Sequence, residues 1–174
     1  MAEFIEYWFE MFKARSAVDE PADMPVVPKF GNPYEDAFLA EIDYDNSNPD
    51  LKIGDTGSFS LESKSIADFT KGAWVYSGQG TEPLKLTVKG NSLFLVCRRN
   101  NSDTMGKFDV MINGNKAGTI DTNQKDGWGD PFAFQAIKWQ GIKDMEVEIV
   151  PTDDSVGKSI EIYGIAFSQN ESFM

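Results

Sequence analysis

The sequence predicts an all-β fold, an antiparallel two-sheet sandwich, with one helix at its N-terminus. Three observations carry that expectation. From residue 37 onward, roughly eight short runs rich in β-branched and aromatic residues recur at steady spacing with little helical periodicity between them, a texture that favours a sandwich or barrel over βαβ units. Several of these runs alternate apolar with polar residues, the period of a half-buried strand. Asn and Gly pair at Gly90-Asn91 and at Asn113-Gly114, and these residues tolerate the positive φ that a tight hairpin requires.

Taken in order, strands are expected over 37–44 and 57–61. The runs 84–88 and 93–97 read as a hairpin around Gly90-Asn91, and 107–112 and 117–121 as a second around Asn113-Gly114-Asn115. Strands over 132–138 and 145–150 follow, the latter alternating Val147 and Ile149 with Glu146 and Glu148. The last strand spans 160–167. Strict alternation there puts Ile160, Ile162, Gly164 and Ala166 on one face, and Glu161, Tyr163, Ile165 and Phe167 on the other.

Residues 1–15 read as the helix. Glu3, Glu6, Glu10 and Lys13 form one narrow polar stripe, and the rest is apolar, including Phe4, Trp8 and Phe12. That apolar arc is wider than a surface helix of a small domain normally shows. It needs a cover, either this chain's own sandwich or a preceding domain. Residues 16–36 carry Pro21, Pro25, Pro28 and Pro33 and read as an extended linker. The expected division is therefore a helix over 1–15, a linker over 16–36 and a sandwich over 37–174.

Twenty-eight acids against sixteen bases give a net charge of −12. Such a field repels phosphate backbones, and the chain has no polybasic run to hold an anionic membrane; neither nucleic acid nor membrane is expected as a partner. No segment approaches the roughly 18 apolar residues of a transmembrane helix, and Glu3, Glu6 and Glu10 interrupt the first apolar run, unlike a signal peptide. Cys97 is the only cysteine, so an intrachain disulfide and a cysteine metal cluster are ruled out. The lone thiol leaves the compartment open.

Histidine is absent, which removes Ser-His-Asp and Cys-His mechanisms and the commonest zinc ligand. Ser58, in Gly54-Asp-Thr-Gly-Ser58, has no histidine base and reads as part of a turn entering a strand; neither Lys107 nor Lys116 sits in a motif that would activate it. Paired carboxylates are the remaining catalytic option, with Asp121, Asp126 and Asp130 around one loop and Asp153-Asp154 in another. No cofactor is expected, the alternative being a structural calcium ion on such oxygens, although EF-hand spacing is missing.

The most distinctive segment is Asn123-Gln-Lys-Asp-Gly-Trp-Gly-Asp130. An indole stacks on the apolar face of a sugar ring while neighbouring amides and carboxylates take hydroxyls. Trp128 is therefore a candidate carbohydrate-binding residue, with Asp126, Asp130 and Asn123 as hydroxyl partners. The plainer reading turns Trp128 inward to cap the sandwich, its glycines giving room. Trp74 and Tyr76, near Gly72 and Gly78, form a second candidate aromatic pair with the same two readings; Trp139 reads as core.

The runs Lys107-Phe-Asp-Val-Met-Ile-Asn-Gly-Asn-Lys-Ala-Gly-Thr-Ile-Asp121, Gly127-Trp-Gly129, Met145-Glu-Val-Glu-Ile149 and Ile160-Glu-Ile-Tyr-Gly-Ile165 resemble jelly-roll ancillary domains of SGNH/GDSL-type hydrolases, which include acetyl esterases acting on carbohydrates. The likeness covers 84–168 and extends to galactose-binding-like sandwiches; Asp144 and Met145 stand where such domains often carry a histidine. The first residues, Met1-Ala-Glu-Phe-Ile-Glu-Tyr-Trp-Phe9, are similar to the helix that closes an SGNH catalytic domain. The resemblance implies an accessory module without its own catalytic residues, a preceding catalytic domain meeting it through Phe4, Trp8 and Phe12, and a glycan as ligand. A structural or protein-interaction sandwich, and a glycoside-active enzyme using paired acids, are the alternatives.

Overall fold

The computed structural model describes residues 37–41, 49–137 and 141–169. The helix expected over 1–15 with its Phe4, Trp8 and Phe12, the linker, and Trp139 lie outside the described residues. Within them the chain forms β1 (Ala37–Glu41), β2 (Leu51–Ile53), β3 (Phe59–Glu62), β4 (Ala73–Tyr76), β5 (Leu84–Gly90), β6 (Ser92–Asn100), β7 (Lys107–Ile112), β8 (Asn115–Asp121), β9 (Trp128–Ile137), β10 (Lys143–Pro151) and β11 (Ile160–Ser168), with one 3-10 turn at Asp153–Ser155.

The strands make two antiparallel sheets, a sandwich as the sequence predicts. One has the order β3-β4-β11-β6-β9, and β1 pairs with the second half of β11; the other runs β2-β5-β10-β7-β8. Alternation is cleanest in the middle of the second sheet. Leu84, Leu86 and Val88 of β5 point inward between exposed Lys85, Thr87 and Lys89, facing Met145, Val147 and Ile149 of β10 in the same core. From the first sheet come Leu93, Leu95 and Cys97, Trp74 and Tyr76, and Ile160, Ile162, Ile165 and Phe167. Burial of several such side chains, each worth roughly 1.5–3 kcal/mol, is what holds the layers together.

Two expectations change in the structure, and strand β4 is not among those expected. Gly90-Asn91 is not a hairpin. Gly90 pairs with Lys143 in one sheet while Ser92 pairs with Ser168 in the other, so the chain crosses the sandwich there. Neither residue takes positive φ, which a two-residue primed turn requires. Asn91 is buried, and its N–H and Oδ1 bond the Ser168 carbonyl and hydroxyl at 2.8 and 2.6 Å. Asn113 (φ 49°) and Gly114 (φ 76°) do form the expected tight turn between β7 and β8.

The strict alternation expected in the last strand is broken by a bulge. Ile162 pairs with Cys97 but Gly164 pairs with Val96, so one residue is inserted at Tyr163 and the faces exchange beyond it. Ile160, Ile162, Ile165 and Phe167 therefore all reach the core, while Glu161 and Tyr163 share the outer face. There Tyr163 packs with Ala73 and Val75 of β4 beneath Ile66 and Phe69.

Finally, β4 escapes a pattern reading because all four of its residues are buried. Covered on both faces, it has no alternation to betray it.

Candidate functional site

The segment from Asp121 to Asp130 is tied down by main-chain bonds to the end of β6. The Asn100 N–H donates to the Thr122 carbonyl at 3.1 Å, the Gln124 N–H to Asn100 at 3.1 Å and the Asn101 N–H to Gly127 at 3.0 Å. A Cβ at Gly127 would lie 2.9 Å from both the Cα and N of Asn100, so only glycine allows this approach. Gly129 takes φ 93°, completing a tryptophan held between two backbone constraints. The ring itself points outward: Trp128 is 77% exposed. The inward cap expected from sequence does not form, because Trp128 opens an edge strand at a register shift between Arg99 and Asn100.

Beneath this loop lies Arg99, a residue to which the sequence reading assigned no role. Its Nε donates to Asp130 Oδ2 at 2.8 Å and its Nη1 to Asp126 Oδ2 at 3.0 Å. The guanidinium lies 4.3 Å from the centroid of the Phe132 ring, which meets Phe134 edge-on at 4.9 Å; stacking adds to the ion pairs. Asp130 is nearly buried and accepts the Trp128 N–H on its other oxygen at 3.1 Å. Burial raises its pKa, but the Trp128 N–H and Arg99 outweigh that and hold it below the usual carboxylate range. The detectable signal was Arg98-Arg99 closing an otherwise apolar run: consecutive strand residues face opposite ways, Arg98 to Glu161 and Arg99 to the loop.

The predicted site residues thus separate into groups. Trp128, Asp126 and Asp130 come together around Arg99. Asn123 belongs to the same loop, but its Oδ1 accepts the Ser102 N–H at 3.1 Å, a framework role. Asp126 keeps its side chain 74% exposed. Trp74 and Tyr76 are not surface candidates: they are 4% and 0% exposed, because their face of β4 packs into the core between the two sheets. The Tyr76 hydroxyl donates to the Gly80 carbonyl at 3.1 Å, and burial raises its pKa.

Groups considered for other chemistry are engaged elsewhere. Ser58 Oγ accepts the Glu82 N–H at 2.9 Å, locking the turn before β3. Lys107 lies 3.3 Å from Asp121 and 3.5 Å from Asp154, and Asp121 foremost raises its pKa, away from a general base. Lys116 pairs with Asp109 at 2.8 Å. Of the acids weighed as calcium ligands, Asp126 and Asp130 meet on Arg99, and among the described residues no group of three or more His, Cys, Asp or Glu side chains is placed to hold a metal ion. No described helix is long and apolar enough to cross a membrane.

No family model and no curated protein sequence matches the chain. Solved structures do match in fold. A two-domain esterase active on acetylated mannans aligns at TM-score 0.65 and 18% identity, over 98% of this chain and 46% of its own. The same type of esterase co-crystallised with mannopentaose gives 0.61 and 18%, over 97% of this chain and 45% of its own. A family 35 carbohydrate binding module from Clostridium thermocellum gives 0.53 and 13%, over 76% of this chain and 98% of the module. This chain has the jelly-roll sandwich fold. It spans under half the length of the two-domain esterases it resembles.

Proposed function

We propose that this chain is a non-catalytic carbohydrate-recognition module that serves an esterase of the SGNH/GDSL type. The observation that carries the reading is Trp128, 77% exposed on a loop fixed by main-chain bonds and by Arg99. Exposing so large a ring costs solvation, and a rigid, outward-facing indole is what stacking on a pyranose needs. The fold supports the same reading, since a binding module lies almost whole within it and a mannan esterase carries it beside a further domain. A preceding catalytic domain meeting Phe4, Trp8 and Phe12 belongs to this proposal.

One exposed ring and a few hydrogen bonds imply weak affinity, on the order of millimolar to tens of micromolar. Affinity electrophoresis through gels containing mannan, acetylated mannan or xylan tests the reading. Retardation by at least one polysaccharide is expected; a folded chain retarded by none of them contradicts it. The chain alone should hydrolyse an activated acetyl ester no faster than its heat-denatured control. Hydrolysis above that level and lost on Ser58→Ala would overturn the non-catalytic assignment, since a serine of this kind needs a base.

A further inference from the structure

We propose that the Arg99 clamp makes the Trp128 platform selective for neutral glycans over acidic ones, with Asp126 as the specificity-determining residue; this rests on the carbohydrate reading above. Two arginines border the platform: Arg98, whose Nη2 lies 3.6 Å from where a Cβ on Gly129 would stand, pairs with Glu161 at 3.3 Å, and the Arg99 side chain donates to Asp130 at 2.8 Å and Asp126 at 3.0 Å with Phe132 against one face. Arg99 is a framework cation, 15% exposed at its side chain. Charge-assisted pairs of this geometry are strong, so a ligand carboxylate meets a cation whose charge two resident carboxylates already offset.

The two aspartates have different fates. Asp130 is turned in and consumed by Arg99 and the Trp128 N–H. Asp126, two residues before Trp128, stays largely exposed, and Arg99 engages its Oδ2 alone. An ionised carboxylate only accepts hydrogen bonds. It suits the hydroxyl donors of a neutral sugar and offers nothing to the carboxylate of a uronate, which adds like charge on a chain already at −12. Lys125 is the one cation within the 121–130 segment, against Asp121, Asp126 and Asp130, and of these Asp121 pairs with Lys107 at 3.3 Å.

The test is a calorimetric titration of the whole chain at low salt in EDTA, so that no divalent cation bridges two carboxylates. Mannotetraose and xylotetraose serve as neutral probes and tetragalacturonate as the acidic one. The wild type should bind at least one neutral probe about tenfold or more tighter than the uronate, a gap of the size that one nearby like charge produces at low ionic strength. Asp126→Asn and Asp126→Ser, both at an exposed position, should narrow the gap chiefly by tightening the uronate. Equal or tighter uronate binding by the wild type, or an unchanged ratio in both variants, overturns the inference and leaves the carbohydrate reading standing. Binding of neither class by the folded chain sinks that reading, and this inference with it.

Discussion

Two glycine-flanked aromatic sites look alike in the sequence and end at opposite extremes of burial. Trp74 and Tyr76 follow Gly72 and precede Gly78; Trp128 sits between Gly127 and Gly129. Trp74 is 4% exposed and Trp128 77%. The difference lies in neighbours. β4 lies inside its sheet between β3 and β11 and is covered on both faces: Trp74 and Tyr76 pack into the core between the sheets, and Ala73 and Val75 sit under Ile66 and Phe69. Trp128 begins β9 at the margin of the same sheet, where the register with β6 shifts. Local composition sets which backbone shapes are open to a segment. Whether an aromatic ring is covered is decided by strands far away in sequence.

The contrast can be broken by substitution. Trp74→Ala should have the largest effect, about 3–5 kcal/mol, as truncating a buried aromatic leaves a cavity; a thermal melt should show a fall of about 10 °C or more. Glu161→Gln should follow. This carboxylate is buried on the outer face beside Tyr163, with bonds to the Tyr163 hydroxyl at 2.7 Å, Lys64 at 3.1 Å and Arg98 at 3.3 Å. A loss of about 1–3 kcal/mol in a denaturant titration is expected, since hydrogen bonds to a charged group are being weakened.

The same residue gives a pH dependence. Burial raises the Glu161 pKa, but Tyr163, Lys64 and Arg98 outweigh it and the folded value lies below the ordinary one. Its stabilisation is therefore complete above about pH 4.5, the ordinary value, and is lost as pH falls toward the lower folded value. Acid titration of stability should show that loss in the wild type and a smaller one in Glu161→Gln. Smaller still is Tyr76→Phe, about 1 kcal/mol for the bond to Gly80, measured by the same denaturant titration.

The parts of the fold most legible in the sequence are those where one face is buried and the other wet. β5 and β10 declare themselves by alternating Leu, Val and Ile with Lys and Glu, and Asn113-Gly114 by a turn that needs positive φ at both positions. Gly90-Asn91 carries similar residues but crosses between sheets, because Asn91 finds buried partners on Ser168, 77 residues away. No local pattern encodes that. The inserted residue at Tyr163 re-phases β11 by the same kind of distant constraint. At the candidate site the loop, Trp128 and its flanking acids were readable. Arg98-Arg99 marks the end of an apolar run, but the role of Arg99 exists only once β6 and β9 pair and bring Asp126 and Asp130 over it.

The smallest stability effect belongs to the residue on which function is proposed to rest. Trp128→Ala should change the unfolding free energy by less than about 0.5 kcal/mol, as an exposed side chain away from the core does. The most direct measurement pairs that melt with a titration of wild type and Trp128→Ala against whichever polysaccharide retards the wild type. The expected result is binding in the wild type, none detectable in the variant, and coincident melting curves. A variant that binds as well as the wild type, or that loses several kcal/mol of stability, would contradict the assignment of Trp128 as an exposed glycan platform.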